Sequence, residues 1–274
     1  MKRTVCYRDE WNDDFSPSKG KIKLKKVEAD FPYEHKGILW NAAGFFLYRL
    51  VATPLVFLFC KITYGLRVRN RRNLRKLRGG FFLYANHTNM LLDSFFPTLI
   101  SFPRRCSILT SADAVSIPGL RNVVQMLGGI PLPQTPTGGK RFLACLHGRA
   151  MRRQAVMVYP EAHVWQYYNG VRPFRDGSFA YPVRENLPVV GAAVVYRPRR
   201  FLKNLPPLAT VVIGKPVYPD RTVSKREARR RLRDEIYRYL SGTVKKENSF
   251  AFVRYVKAAG PAEEARQGPS RPDA

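Results

Sequence analysis

FFLYANHTNMLLDSFFPTLI, from Phe81 to Ile100, passes from a strand through a polar turn into a helix. Phe81 to Ala85 is a short apolar run of the kind found in strands covered on both faces, and Met90 to Ile100 has helical character. Asn86 to Asn89 separate them. The alternation continues on the carboxyl side. CSILT (Cys106 to Thr110), AVMVY (Ala155 to Tyr159), PVVGAAVVY (Pro188 to Tyr196) and ATVVI (Ala209 to Ile213) read as strands, with helices near Gly119 to Leu127, Lys140 to Arg153 and Ser178 to Asn186. Residues 79 to about 217 therefore read as α/β, a sheet covered by helices. A last helix, Ser224 to about Lys246, places Ala228, Leu232, Ile236 and Leu240 on one stripe and is expected to cap the sheet.

On the amino side, residues 38–66 form the most lipophilic stretch, dense in Phe, Leu and Val but carrying Arg49 and Pro54 near its middle. The expectation is two short helices lying in a bilayer interface, kinked at Pro54, with Arg49 reaching the headgroups; a single tilted span is the alternative. A basic collar follows, with eight Lys and Arg between Lys61 and Arg78 and no acid, which suits an anionic leaflet. Residues 1–37, with the basic run Lys21 to Lys26, read as a flexible or surface-lying polar arm, and residues 248–274 as a disordered tail. The catalytic domain is read as 67–247.

At 274 residues the chain can bury a sizeable core, which excludes a disulfide-stapled miniprotein. Apolar residues at 45% and charged residues at 25% exclude a disordered or fibrous chain. The imbalance is in sign. Lys plus Arg is 48 against 20 Asp plus Glu, a net +28 that draws polyanions or anionic lipid headgroups. Cys6, Cys60, Cys106 and Cys145 lie far apart without a C-x-x-C pair, which argues against zinc and fits reduced thiols in a cytoplasmic protein. The opening MKRTVCYRDEWNDDF turns acidic instead of apolar, so export is not expected.

Reactive side chains in α/β sheets sit at the carboxyl ends of strands, and His87 stands there. An imidazole can take a proton from a hydroxyl near neutral pH when a carboxylate holds its other nitrogen; Asp93 is the candidate. Six positions along one regular helix would point the two apart, so the contact needs an irregular turn between them. Glu161, after the strand AVMVY and Pro160, stands in a strongly basic region, where it braces an Arg, holds a polar substrate or orders the site loops. Arg175, beside the turn at Gly177 in FRDGSF, suits a phosphate.

Taken together these stretches resemble the 1-acylglycerol-3-phosphate acyltransferases, the PlsC-like lysophospholipid acyltransferases, over about Trp40 to Tyr218. NHTNMLLD is similar to the family's N-H-x-x-x-x-D with one residue more, LGGIPLPQ (Leu127 to Gln134) to its G-x-x-F-I-D-R, YPEA (Tyr159 to Ala162) to F-P-E-G-T-R, and NLPVVGAAV (Asn186 to Val194) to its Pro-centred strand. The resemblance implies a glycerol-3-phosphate-acyltransferase-like mixed sheet, with His87 and Asp93 as the catalytic pair. It implies transfer of an acyl group from acyl-CoA or acyl carrier protein to the free hydroxyl of a lysophospholipid, without cofactor or metal, at the cytoplasmic face of an anionic membrane. Gln134 stands where the second motif has its phosphate-binding Arg, so Lys140, Arg141 and Arg175 are the candidates for that role, with Glu161 as a further substrate contact. The altered second and third motifs also motivate an alternative, a lipid-binding pseudoenzyme on the same fold. A nucleic-acid-binding protein would account for a pI near 10.5 but not for the apolar segment, and the glycines before Lys140 lack the Ser or Thr of a P-loop, so no specific nucleic acid is expected.

Overall fold

The structure is a computed structural model and describes residues 3–15, 27–28, 30–117, 119–247 and 250–258. Its elements in chain order are β1 (Arg3–Tyr7), α1 (Ile38–Phe46), α2 (Thr53–Tyr64), β2 (Arg67–Arg69), α3 (Arg72–Arg75), β3 (Phe81–Ala85), α4 (Met90–Ser101), β4 (Cys106–Thr110), α5 (Asp113–Ser116) and α6 (Arg121–Met126). They continue with β5 (Gly129–Pro131), α7 (Pro136–Met151), β6 (Ala155–Val158), α8 (Ala180–Glu185), β7 (Val189–Arg197), β8 (Leu208–Val217), α9 (Lys225–Glu247) and β9 (Val253–Lys257). Seven strands form one sheet in the order β2-β8-β7-β3-β6-β4-β5. Five of them, β7, β3, β6, β4 and β5, run parallel; β8 is antiparallel to β7 and β2 is parallel to β8. The sheet is therefore mixed, as the motif resemblance implies.

β3 is the middle strand, paired on both edges, and all five of its residues are buried. Alternate side chains go to opposite faces, which is the period of a strand. Phe81, Leu83 and Ala85 pack with Cys60, Tyr64, Leu92, Phe96 and Ile100 of α2 and α4. Phe82 and Tyr84 pack on the other side with Phe142 and Leu146 of α7 and Leu232, Ile236, Leu240 and Val244 of α9. The stripe expected on the last helix is thus the one that caps the sheet.

The ring of Tyr239 on α9 lies against Gly191 of β7 and Gly214 of β8, and its hydroxyl donates to the Val212 carbonyl at 3.0 Å. This approach requires Gly191, where a Cβ would stand 2.4 Å from Tyr239 Cδ1. Gly191→Ala should accordingly lower stability by about 1–3 kcal/mol in urea unfolding, through overpacking. A variant as stable as the parent would show that the ring moves aside freely.

Three expectations are corrected. Residues 38–64 are helical without a break: Phe46 (φ −61, ψ −50) and Ala52 (φ −67, ψ −45) stay in the right-handed region on either side of a π-helical turn, Leu47–Ala52. A proline ring clashes with the carbonyl four residues earlier, and the wider π turn just ahead of Pro54 relieves that clash where a kink was expected. Residues 1–37 are not a loose arm throughout. Arg3–Tyr7 pairs in parallel with Val253–Lys257, and Val27, Phe31 and Tyr33 are buried in the sheet's α7-side core. That strand pair also removes residues 253–257 from the expected disordered tail; Lys21 to Lys26 and residues beyond 258 lie outside the described residues.

Candidate active site

The site grows out of the end of β3. Asn86, fully buried, exchanges two hydrogen bonds with Val194 of β7, accepting from its N–H at 2.8 Å and donating to its carbonyl at 3.0 Å. That amide fixes where the strand stops. Asn89, extended at φ −160, caps α4 by accepting the Leu92 N–H at 2.9 Å, so the helix begins only at Met90. His87 therefore stands outside the helix while Asp93 stands in its first turn, and the six-position separation is not six helical steps. Their contact follows: His87 Nδ1 lies 2.8 Å from Asp93 Oδ2.

Asp93 Oδ2 also accepts the N–H groups of Thr88 and Asn89, each at 2.9 Å. A carboxylate at a helix amino end holding three N–H groups is favoured by the local dipole as well. Burial raises the Asp93 carboxyl above its ordinary range, and the His87 and amide donors pull against that rise. With Nδ1–H directed at the carboxylate, Nε2 carries the lone pair. The His87 side chain is 17% exposed against 1% for Asp93, so the imidazole faces outward and its partner is sealed.

Tyr159, directly after β6, closes the arrangement. Its ring stacks on the imidazole with centroids 4.3 Å apart and planes 19° apart, and its hydroxyl donates to the Asp93 carbonyl at 2.5 Å. Tyr159→Phe keeps the stack and removes one hydrogen bond, so stability should fall by about 1 kcal/mol with only a small loss of activity. Activity lost to the extent seen with an Asp93 variant would give the hydroxyl a larger part. The next loop straps the turn from above. Trp165 N–H donates to the His87 carbonyl at 3.2 Å and Tyr167 N–H to the Thr88 carbonyl at 2.7 Å.

Glu161 sits in that strap and braces an arginine. Arg172 Nε donates to Glu161 Oε2 at 3.2 Å, and its other nitrogens reach the main-chain carbonyls of Glu161, His163 and Glu10; both side chains are sealed from solvent. The guanidinium lies over the Trp165 ring, 4.9 Å from its centroid. Burial raises the Glu161 carboxyl above its ordinary range, and the Arg172 guanidinium beside it pulls against that rise. Of the roles open to Glu161 in the sequence, the geometry matches the brace and the ordering of a loop; its Oε1 has no partner among the described residues.

Lys140 and Arg141 are exposed in the early turns of α7, which starts at Pro136 with Thr135 as its cap. Arg175 is exposed and bonds Asn12 Oδ1 at 3.2 Å beside the Trp11 ring. No hydrogen bond or ion pair among the described residues joins any of the three to His87, Asp93, Tyr159 or Glu161. Sequence reasoning missed Arg172, which nothing in VRPFRDGSF distinguishes from Arg175, and the ring of Tyr159, although its motif was visible. Burial pushes the Cys60 and Cys106 thiols up to about 12, so neither is poised as a nucleophile.

An outward imidazole backed by a sealed carboxylate, at the carboxyl end of the middle strand, is an arrangement able to take a proton from a hydroxyl. The family model described as Acyltransferase matches residues 65–195, from the end of α2 into β7, and so includes every residue of that site. Residues 65–195 of the chain therefore carry an acyltransferase domain. Among solved structures it is similar to the 1-acyl-sn-glycerophosphate (LPA) acyltransferase PlsC from Thermotoga maritima, at 16% identity and a TM-score of 0.49, over 75% of this chain and 95% of that one. No curated protein matches the chain.

Proposed function

We propose that the chain moves a fatty acyl group from a thioester, acyl-CoA or acyl carrier protein, to the free hydroxyl of a 1-acylglycerol-3-phosphate at a bilayer surface. The observation that carries this is the 2.8 Å bond from His87 Nδ1 to Asp93, which leaves Nε2 as the open nitrogen. Nε2 takes the hydroxyl proton as the oxygen attacks the thioester carbonyl. The tetrahedral adduct then expels the thiolate, which receives the proton back from the imidazolium. An ester and a free thiol result, with no acyl-enzyme. Asp93 holds the imidazole in the right tautomer and offsets its transient charge, and Tyr159 and the Trp165 strap fix the ring's position.

The bilayer setting is supported by how residues 38–64 are held. This run of 27 residues is apolar enough to cross a membrane, yet it is attached to the domain near both ends. Met126 would lie 3.5 Å from a Cβ on Gly44, Arg49 donates to the Pro103 carbonyl at 2.5 Å, and Tyr64 donates to Asn89 Oδ1 at 3.2 Å. A helix laid along the body for about 40 Å suits a bilayer surface better than a lone span. Its outer side exposes Leu39, Phe45, Phe46, Leu50, Leu55, Phe57, Leu58 and Ile62. Joint replacement Phe45→Ser and Phe57→Ser should weaken partitioning into phosphatidylcholine–phosphatidylglycerol vesicles by on the order of 10²-fold in sedimentation. Unchanged partitioning would remove the helix from the interface.

The activity itself is tested by thiol release from palmitoyl-CoA with and without lysophosphatidate, in vesicles. Acceptor-dependent release is expected. Its absence with lysophosphatidate and with other lysolipids would leave a lipid-binding protein on an acyltransferase fold.

A further inference from the structure

At the opposite edge of the sheet from His87, a cavity of about 610 Å³ opens where the amino ends of β4 and β6 meet α1 and the π turn. A five-residue strand, about 17 Å, separates the two edges. The cavity walls carry Lys36, Arg49, Arg105, Arg149 and Arg152 against one carboxylate, Glu34, which Arg152 engages at 3.0 Å. Arg49 and Arg105 use part of their donor capacity on the main-chain carbonyls of Pro103 and Met126, and no acid among the described residues pairs with either. The Nε atoms of Arg105 and Arg149 are buried without a hydrogen-bond partner, and so is Gln154 Oε1. Burial lowers the Arg105 guanidinium, and the charge of Arg149 lowers it further. Like charges gathered in a recess with unused donors are stable only at a cost that a bound anion relieves.

We propose that this cavity is a second binding site, separate from the His87 centre, for a phosphate-bearing anion. The arginines supply forked donors that match phosphate oxygens, and Gln154 Oε1 accepts from a protonated phosphate oxygen or a neighbouring hydroxyl. Two sources carry that chemistry. Trp40 and Phe45 of α1 also line the cavity, so the headgroup of an anionic lipid in the layer under α1 can reach it, and so can a soluble phosphate compound. The lipid source rests on the bilayer reading above; the anion site does not.

The test uses the full chain and inorganic pyrophosphate, titrated by calorimetry at fixed salt. Arg149→Gln with Arg152→Gln is compared with Arg226→Gln with Arg238→Gln, which removes the same charge from exposed positions on α9. The cavity variant should bind about tenfold more weakly than the parent and the α9 variant within about twofold of it. Arg152→Gln alone, at a half-exposed side chain, should lose about threefold and keeps the experiment readable if the double variant does not fold. Vesicles of phosphatidylcholine with and without phosphatidic acid separate the sources. A loss on the anionic vesicles confined to the cavity variant assigns the lipid headgroup; unchanged vesicle binding with weakened pyrophosphate binding assigns a soluble ligand. If the cavity variant matches the α9 variant in both assays, the proposal is overturned.

Discussion

Asp93→Asn should lower kcat for acyl transfer by on the order of 10³-fold while the chain stays folded. The amide can enter the site in two ways. With its NH2 toward the ring it donates to Nδ1, which forces the proton onto Nε2 and removes the base. With its oxygen toward the ring it keeps the tautomer and the Thr88 and Asn89 N–H groups, but it places the NH2 where Oδ1 now lies buried without a partner, and the imidazolium loses its counter-charge. Both arrangements slow proton removal, so the loss should fall in kcat with little change in KM. Steady-state kinetics with lysophosphatidate as the varied substrate checks this. A variant within about threefold of the parent would mean that the carboxylate serves only to hold the Thr88 and Asn89 N–H groups at the start of α4.

Glu161→Ala should destabilise the chain by about 3–5 kcal/mol, a fall in Tm of about 10 °C, because it strands a buried guanidinium. Arg172 is 1% exposed and has no second carboxylate among the described residues. The strap that it holds carries the Trp165 N–H bonded to the His87 carbonyl, so activity at a permissive temperature should fall as well. The double variant Glu161→Leu with Arg172→Met removes both charges and should be less damaged than Glu161→Ala alone. If the double variant is worse than the single, Arg172 is held by its carbonyl partners and the Trp165 ring, not by the carboxylate.

Much of this architecture was readable from local pattern. FFLYA and CSILT coincide with β3 and β4 residue for residue, because strands buried on both faces are apolar without interruption and end at polar turns. β5, only Gly129–Pro131, carries too few residues to show a period, and β2 is as short. β1 with β9 was invisible for a different reason: each strand alone mixes Arg or Lys with apolar residues and is largely exposed, and the pairing joins segments about 250 positions apart. α7 begins four residues earlier than expected because Thr-Pro-Thr-Gly-Gly reads as a loop, whereas Thr135 caps the helix and Pro136 fits its first position.

The site divides along the same line. His87 and Asp93 lie within one turn of chain, so their residue types and order suffice to bring them under suspicion, and only the cap at Asn89 explains how the extra residue is absorbed. Glu161 was legible as a carboxylate in need of a cation. Which arginine answers it was not, since that choice depends on a loop of eleven positions folding back over the Trp165 ring. The basic cavity at the far edge could not be read at all, because Arg49, Arg105, Arg149 and Arg152 come from separate elements that the sheet order alone assembles.

The proton-taking role of His87 is tested most directly by single-turnover acyl transfer from acyl-CoA to lysophosphatidate in vesicles, with His87→Ala beside the parent and folding of both checked by circular dichroism. The expected result is a fall in the transfer rate of on the order of 10³-fold with vesicle binding unchanged. A folded His87→Ala chain that transfers the acyl group at the parental rate would contradict the assignment of the base.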